Sequence, residues 1–216
     1  MKALLSLVGI LVVLFTAALL WCRSALGRRA FPCPARFSWL LENPFTEAVA
    51  GSALLLDRLE VTPGMRVLDA GCGPGRVSIP AARRVAPDGE VVALDVQAAM
   101  LEKLQARAAA GGVTNIQPIL GGIGQGLLAQ NAFDRALLVT VLGETPDREA
   151  TLREIYGALK PGGILSITEV FPDPHYQPRR TVRSLAEAAG FRLDRVYGNW
   201  FAFTMNFVKP DAPESA

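Results

Sequence analysis

Residues 67–76 of this 216-residue chain read VLDAGCGPGR, an apolar run that ends in a glycine-rich loop. Glycines at positions 71, 73 and 75 let the backbone approach a ligand closely. A helix that begins just after the loop presents unpaired backbone N–H groups to a negatively charged group. The stretch therefore predicts a strand–loop–helix unit that binds an anionic, nucleotide-like ligand.

Two common phosphate-binding motifs do not fit this loop. A dinucleotide-binding fingerprint has the spacing G-x-G-x-x-G/A, but the sixth position counted from Gly71 is Arg76. A P-loop needs Gly-Lys followed by Ser or Thr, and none follows here. The loop therefore disfavours a nucleotide-dependent oxidoreductase.

Around the loop, apolar runs alternate with helix-like segments. Apolar strands separated by helices are typical of an α/β fold, in which helices cover both faces of a parallel sheet. Only two residues separate the last two strand-like runs, which predicts a C-terminal hairpin. The predicted strands are 66–70, 90–95, 116–120, 136–142, 164–170, 191–197 and 200–208, and the predicted helices are 44–59, 77–85, 98–110, 146–159 and 181–189.

Further motifs follow the glycine loop in order: VVALDVQAAML at 91–101, then the pair FDRALLVTVLGE at 133–144 and LKPGGILSITEV at 159–170. With the loop, they make residues 43–210 resemble the class I S-adenosylmethionine-dependent methyltransferases, most closely the quinone-biosynthesis C-methyltransferase branch. The resemblance implies a Rossmann-like, mostly parallel seven-stranded sheet with a C-terminal antiparallel hairpin. It also implies S-adenosyl-L-methionine as the cofactor.

The resemblance assigns roles to residues of the glycine loop. Asp69 would interact with the methionine amino end of the cofactor. The backbone at Gly71, Cys72, Gly73 and Gly75 would pass beneath the amino-acid portion. The Cys72 side chain is expected to be inert, since nothing near it in the sequence marks it as a nucleophile.

The nucleoside half of the cofactor is assigned in the same way. Asp95 would accept hydrogen bonds from the ribose hydroxyls, with Val96 against the adenine, and Thr140 joins this cofactor-binding set. Related proteins usually carry an acidic residue after the third strand, near the adenine amino group, where this chain has Gly122. A backbone carbonyl or Gln125 would have to supply the missing acceptor.

Glu144 and His175 are the candidate catalytic bases. In this fold ligands bind at the carboxyl ends of the strands, and both residues follow predicted strands. The segment 169–176, at the end of the fifth predicted strand, is also expected to face the acceptor. A base is needed only if the methyl acceptor must lose a proton. The alternatives stay open, with His175 as a surface-loop histidine and Glu144 as a residue beside a helix cap. One histidine and three cysteines give no Cys/His metal site, and we expect no metal.

The N-terminal segment differs from the rest of the chain in charge. Residues 3–22 form an uncharged, mostly apolar run of about 30 Å as a helix, the thickness of a bilayer core. Residues 1–29 carry a net charge of +4, so the total of +2 leaves −2 for the rest. Three arginines after the run predict a single-pass membrane protein with its catalytic domain in the cytoplasm. A cleaved signal peptide is the alternative.

The chain is therefore divided into an N-terminal transmembrane anchor with its basic flank (1–29), a linker and cover helix (30–59), a methyltransferase domain (60–210) and a tail (211–216). Tethering to a bilayer predicts a lipophilic small-molecule acceptor or a lipid, quinone-precursor-like or phospholipid-like. A catalytically inactive, membrane-tethered cofactor-binding or scaffold protein is the alternative, because of Gly122. A net charge of +2 gives no reason to expect a nucleic acid partner, and the oligomeric state stays open.

Overall fold

Helices and strands alternate along residues 44–211, the part of the chain that the computed structural model describes. The strands are β1 (Arg66–Ala70), β2 (Glu90–Asp95), β3 (Ile116–Leu120), β4 (Phe133–Val139), β5 (Leu159–Val170), β6 (Arg192–Gly198) and β7 (Ala202–Val208). The α-helices are α1 (Pro44–Ala50), α2 (Ser52–Arg58), α3 (Ser78–Val85), α4 (Ala98–Ala110), α5 (Arg148–Ala158) and α6 (Arg179–Ala188).

The seven strands form one sheet in the order β3-β2-β1-β4-β5-β7-β6. The first five strands run parallel, and β7 pairs antiparallel with both β5 and β6. The predicted mostly parallel sheet with a C-terminal hairpin is therefore confirmed. Parallel strands end on the same side of a sheet, which we call the carboxyl edge; these ends are Ala70, Asp95, Leu120, Val139 and Val170.

Helices cover both faces of this sheet. Val67 and Leu68 are neighbours in β1, so their side chains point to opposite faces, and both are fully buried. Val67 belongs to an apolar cluster with Leu55 of α2 and Ala81 of α3. Leu68 belongs to the cluster on the other face, with Leu152 of α5. Each buried aliphatic side chain of this kind contributes about 1.5–3 kcal/mol to folding.

The fourth strand lies three residues earlier than the predicted 136–142. Thr140 has a φ of 57°, a left-handed conformation that does not continue a strand. Its N–H donates to the carbonyl oxygen of Thr168 at 2.8 Å, which fixes this turn against β5. Leu142, the last residue of the predicted strand, consequently begins a 3₁₀ turn, Leu142–Glu144, which lies at the carboxyl edge.

Two helix predictions are corrected as well. The predicted helix 44–59 is two helices, because the backbone at Gly51 is extended and leaves the helical region. The predicted helix 146–159 begins later, since Asp147 is its N-cap, and ends earlier. β5 starts directly after it at Leu159, which pairs with β4, and not at the predicted residue 164.

No helix within residues 44–211 is long and apolar enough to cross a membrane. The predicted transmembrane helix, residues 3–22, lies outside the described residues, and so do the predicted basic flank and most of the linker before α1. The prediction of a membrane anchor therefore stays a prediction.

Candidate active site

The glycine loop between β1 and α3 is held against the end of β2. The N–H groups of Gly71 and Cys72 donate to the carbonyl oxygen of Leu94 at 2.7 and 3.0 Å. The N–H of Gly73 donates to the Asp95 carboxylate at 2.9 Å. These bonds fix the loop across the ends of two neighbouring strands at the carboxyl edge, where the sequence predicted it.

Two of the loop glycines differ in what an added side chain would meet. Gly71 has a φ of +77°, and a Cβ there would overlap the side chain of Val141. Gly73 has a φ of +54°, but a Cβ there would meet no atom within 4 Å. Gly71 therefore allows close packing beneath the loop, whereas Gly73 borders open space above it.

Asp95 is the carboxylate that ends β2. It is only 7% exposed, and its two oxygens accept the N–H groups of Gly73 and Gln97, each at 2.9 Å. Burial raises the pKa of Asp95, and these backbone hydrogen bonds oppose the rise. A carboxylate has about four acceptor positions, so Asp95 keeps capacity for further donors. The side chain of the next residue, Val96, is 51% exposed, so a polar and an apolar contact surface lie side by side.

Asp69 is a buried residue of β1 and does not line an open surface. It is 3% exposed, and the Ser78 hydroxyl at the start of α3 donates to its Oδ2 at 2.6 Å. Burial raises the pKa of Asp69 to about 6, although the Ser78 hydrogen bond and the charge of Arg76 lower it. Asp69 therefore ties β1 to α3 beneath the loop, and its predicted contact with the cofactor stays a prediction.

The buried thiol of Cys72 packs in an apolar cluster with Ala93, Leu101 and Leu104. Burial raises the pKa of this thiol far above its usual range, with the Asp69 carboxylate adding to the rise. Because the thiolate is the reactive form, Cys72 is a packing residue and not a nucleophile. Within residues 44–211, no group of three or more His, Cys, Asp or Glu side chains has the arrangement of a metal site.

Gln125 fills the space beside Gly122. The N–H of Gly122 donates to the Gln125 Oε1 at 3.2 Å. A Cβ on Gly122 would lie within 3.5 Å of the Gln125 carboxamide. The Gln125 carboxamide thus occupies the space into which a side chain at position 122 would extend, and its role as the acceptor for the adenine amino group stays a prediction.

The hydroxyl and the N–H of Thr140 are both hydrogen-bonded to the protein's own backbone. The Oγ1 donates to the carbonyl oxygen of Val139 at 2.7 Å, and the N–H is bound to Thr168. Thr140 therefore shapes the turn that leads from β4 into Leu142–Glu144. Its predicted contact with the cofactor stays a prediction.

The two candidate bases lie on turns that pack against each other. Glu144 ends the 3₁₀ turn after β4, and His175 lies in the loop after β5. The backbone at Gly143 lies directly against the His175 carbonyl, leaving no room for a side chain at position 143. The His175 carbonyl also accepts the Gln177 side-chain amide at 2.7 Å. The fold thus brings both candidate segments together at the carboxyl edge.

Glu169 is the first residue of the segment 169–176 that the sequence indicated as acceptor-facing, but its burial and its proton were not predicted. It is 1% exposed, its Oε2 accepts the N–H of Gln177 at 3.1 Å, and its Oε1 has no partner within the described residues. Burial raises its pKa to about 8, and Asp173 and Glu144 add to the rise. Glu169 therefore carries a proton at neutral pH. Its signal in the sequence is an acid inside the otherwise uncharged run 164–170.

Replacing Glu169 with glutamine should change how stability depends on pH. An unfolded glutamate ionises near pH 4.5, but the folded one keeps its proton to about pH 8. The wild-type free energy of unfolding therefore falls as pH rises between these values. Glu169→Gln removes this loss, so at pH 8 the variant should be more stable than the wild type by about 2–4 kcal/mol. Urea unfolding at pH 5 and pH 8 measures the difference.

Glu149→Gln is the matched control for this prediction. Glu149 is exposed on α5 and pairs with Arg153 four residues later. Its removal should change stability by about 0.5 kcal/mol or less at either pH. Equal pH dependence in wild type and Glu169→Gln would contradict the burial of a protonated carboxyl at this position.

Comparisons with known proteins place the chain in a family. Residues 61–190, more than half of the chain, match the methyltransferase domain family. Nocamycin O-methyltransferase from Saccharothrix syringae is 33% identical over 120 residues, which cover 56% of this chain and 43% of that protein. Demethylmenaquinone methyltransferase from Geobacillus kaustophilus is 34% identical over 110 residues, which cover 51% of this chain and 47% of that protein. The chain thus spans less than half the length of both relatives.

A solved structure has the same fold. The chain is similar to a SAM-dependent methyltransferase from Aquifex aeolicus, with a TM-score of 0.75 and 22% identity over 82% of this chain and 99% of that one. The family match includes the glycine loop, Asp95 and both candidate acceptor turns, so it covers the elements that build the site. The predicted family and cofactor class are confirmed. The chain belongs to the methyltransferase domain family and has the fold of the S-adenosylmethionine-dependent methyltransferases.

Proposed function

We propose that the chain transfers a methyl group from S-adenosylmethionine to a lipophilic small molecule or lipid held in a membrane. The observation that carries the proposal is Asp95, a buried carboxylate bound to the glycine loop with exposed Val96 beside it. The acceptor class is supported by the uncharged run of residues 3–22 ahead of the domain.

The residues at the end of β2 suit the nucleoside half of the cofactor. Asp95 offers acceptor oxygens for the two ribose hydroxyls, and the exposed Val96 side chain offers an apolar contact for the adenine. Gln125 supplies the polar group near the adenine amino position. The loop at Gly73 borders open space, which leaves room beside it for the amino-acid portion of the cofactor.

Methyl transfer needs the acceptor in line with the methyl group. The acceptor atom bonds to the sulfonium methyl carbon as the carbon–sulfur bond breaks, and neutral S-adenosylhomocysteine is left. Positioning supplies much of the rate in such a step. If the acceptor atom carries a proton, Glu144 and His175 are the candidate bases. Glu169 keeps its own proton at neutral pH, so it is not a base there.

A lipophilic acceptor agrees with the relatives and with the predicted anchor. One similar protein is named for demethylmenaquinone and another for nocamycin, so the family accommodates more than one acceptor. A chain tethered to a bilayer meets membrane-dissolved acceptors at a raised effective concentration without any new contact. The anchor would therefore favour acceptors that dissolve in the membrane over acceptors that dissolve in water.

Transfer of a labelled methyl group tests this proposal. The full chain in vesicles made from extracted lipids, supplied with methyl-labelled S-adenosylmethionine, should place label in the organic phase. Removal of residues 1–29 should slow this transfer at least about tenfold, because the tether's effective concentration is lost. Label in water-soluble acceptors alone, at equal rates for both chains, would contradict the lipophilic acceptor.

Alanine substitutions at Gly71 and Gly73 distinguish an effect on folding stability from an effect on cofactor affinity. Gly71→Ala should lower the free energy of unfolding by about 2–4 kcal/mol, because strain at positive φ is added to overlap with Val141. Gly73→Ala should cost only about 1–2 kcal/mol, since its Cβ meets open space. The same Cβ would obstruct the cofactor, so affinity for S-adenosylhomocysteine should fall at least about tenfold.

Urea unfolding and calorimetric titration of the two variants measure these effects. Gly73→Ala that binds S-adenosylhomocysteine as tightly as the wild type would show that the cofactor does not cross the loop at this glycine.

A further inference from the structure

Four aromatic side chains, of which one is exposed and three are partly buried, lie together at the carboxyl edge, beside the proposed acceptor site. We call Phe171, Tyr176, Trp200 and Phe201 the aromatic surface. The Phe171 ring lies 6.3 Å from Tyr176, 6.3 Å from Trp200 and 5.6 Å from Phe201, measured between ring centroids. Trp200 is 72% exposed, more than any other large apolar side chain within residues 47–211.

One backbone hydrogen bond and two side-chain–backbone hydrogen bonds hold this surface in place. The N–H of Phe171 donates to the carbonyl oxygen of Phe201 at 2.7 Å. Asn199 Oδ1 accepts the N–H of Phe201 at 2.8 Å, and the Tyr176 hydroxyl donates to the Trp200 carbonyl. The exposure of Trp200 is therefore a property of an ordered turn between β6 and β7.

The aromatic surface lies where the chain enters the described domain. α1 packs on β5 and β7, with Ala50, Val170 and Ala202 in one apolar cluster against which Phe201 packs. Residues before Pro44, the first residue of α1, include the uncharged run 3–22. The 21 residues 23–43 between that run and α1 span at most about 75 Å when fully extended. The tether therefore keeps the domain within about 75 Å of any membrane that holds the run, and the face that turns toward the membrane has to be set by the domain's own surface.

The position also suits an acceptor that stays in a bilayer. Ala202 pairs with Val170, so the turn that carries Trp200 lies at the same edge as the glycine loop. β7 is three strands from β1, which is about 14 Å at the usual strand spacing. A lipophilic molecule that enters beside Trp200 thus needs to move only a short distance to reach the cofactor loop.

We propose that the aromatic surface inserts into the interfacial region of the lipid bilayer and turns the carboxyl edge toward the membrane. Tryptophan and tyrosine favour this region, because one end of the ring system is apolar and the other is polar. This inference rests on the proposed function for its acceptor, but it concerns where the domain lies and not whether it reacts.

Fluorescence of Trp200 tests the proposal directly. The other tryptophans are Trp21 and Trp39, so the full chain with Trp21→Phe and Trp39→Phe reports on Trp200 alone. It is placed in phosphatidylcholine–phosphatidylglycerol vesicles whose acyl chains are unbrominated, brominated near the headgroup or brominated near the terminal methyl. Bromination near the headgroup should reduce the Trp200 emission at least twofold, and deep bromination should reduce it less.

A matched variant controls for quenching that does not depend on position. Trp200→Ser combined with Val196→Trp moves the single tryptophan to an exposed site midway along the edge strand β6. Its emission should be equal in all three kinds of vesicle. If Trp200 itself gives equal emission in all three, water, residues 30–43 or a second copy of the chain covers this face, and the proposal is overturned.

The measurement needs neither cofactor nor acceptor, so it separates this proposal from the proposed function. Quenched Trp200 in a protein that methylates no lipid would support the aromatic surface and contradict the lipophilic acceptor. Lipid methylation with unquenched Trp200 would support the acceptor and overturn the membrane-facing surface.

Discussion

The Asp95 carboxylate accepts N–H groups from Gly73 and Gln97, and in this way it holds the glycine loop and the start of α4 at the end of β2. The loop could not lie there without Gly71, which leaves room for Val141 beneath it. A carboxylate that orders two backbone segments still has spare acceptor positions, which suits it to the ribose hydroxyls of the proposed cofactor. The proposed cofactor geometry depends on this one arrangement.

The sequence predicted the parts of the fold that local pattern controls. The strands beginning at Arg66, Glu90 and Ile116 have the predicted bounds, because each apolar run is followed directly by loop residues. The predicted bounds of β4 were wrong, because the strand ends before a left-handed turn at Thr140. This turn is hydrogen-bonded to Thr168 on the neighbouring strand β5. No local pattern records that contact, since it joins residues 28 positions apart.

The sequence likewise predicted the positions of some site residues but not the environments of others. The loop glycines and Asp95 follow from motif and strand end, and they lie where expected. The burial of Asp69 against Ser78 and the proton held by Glu169 depend on α3 and on the loop after β5 packing over them. Only the folded chain creates these environments, because desolvation and not residue type shifts both carboxyl groups.

The glycine loop over β1 and β2 and the aromatic surface beside β5 and β7 lie at the same carboxyl edge, with the proposed methyl acceptor between them. A crystal structure of the full chain with S-adenosylhomocysteine tests this account most directly. It should show the ribose hydroxyls about 3 Å from the Asp95 carboxylate and the adenine against Val96, with the Gly73 hydrogen bond kept. Ligand bound elsewhere, or none bound at millimolar concentration, would contradict it.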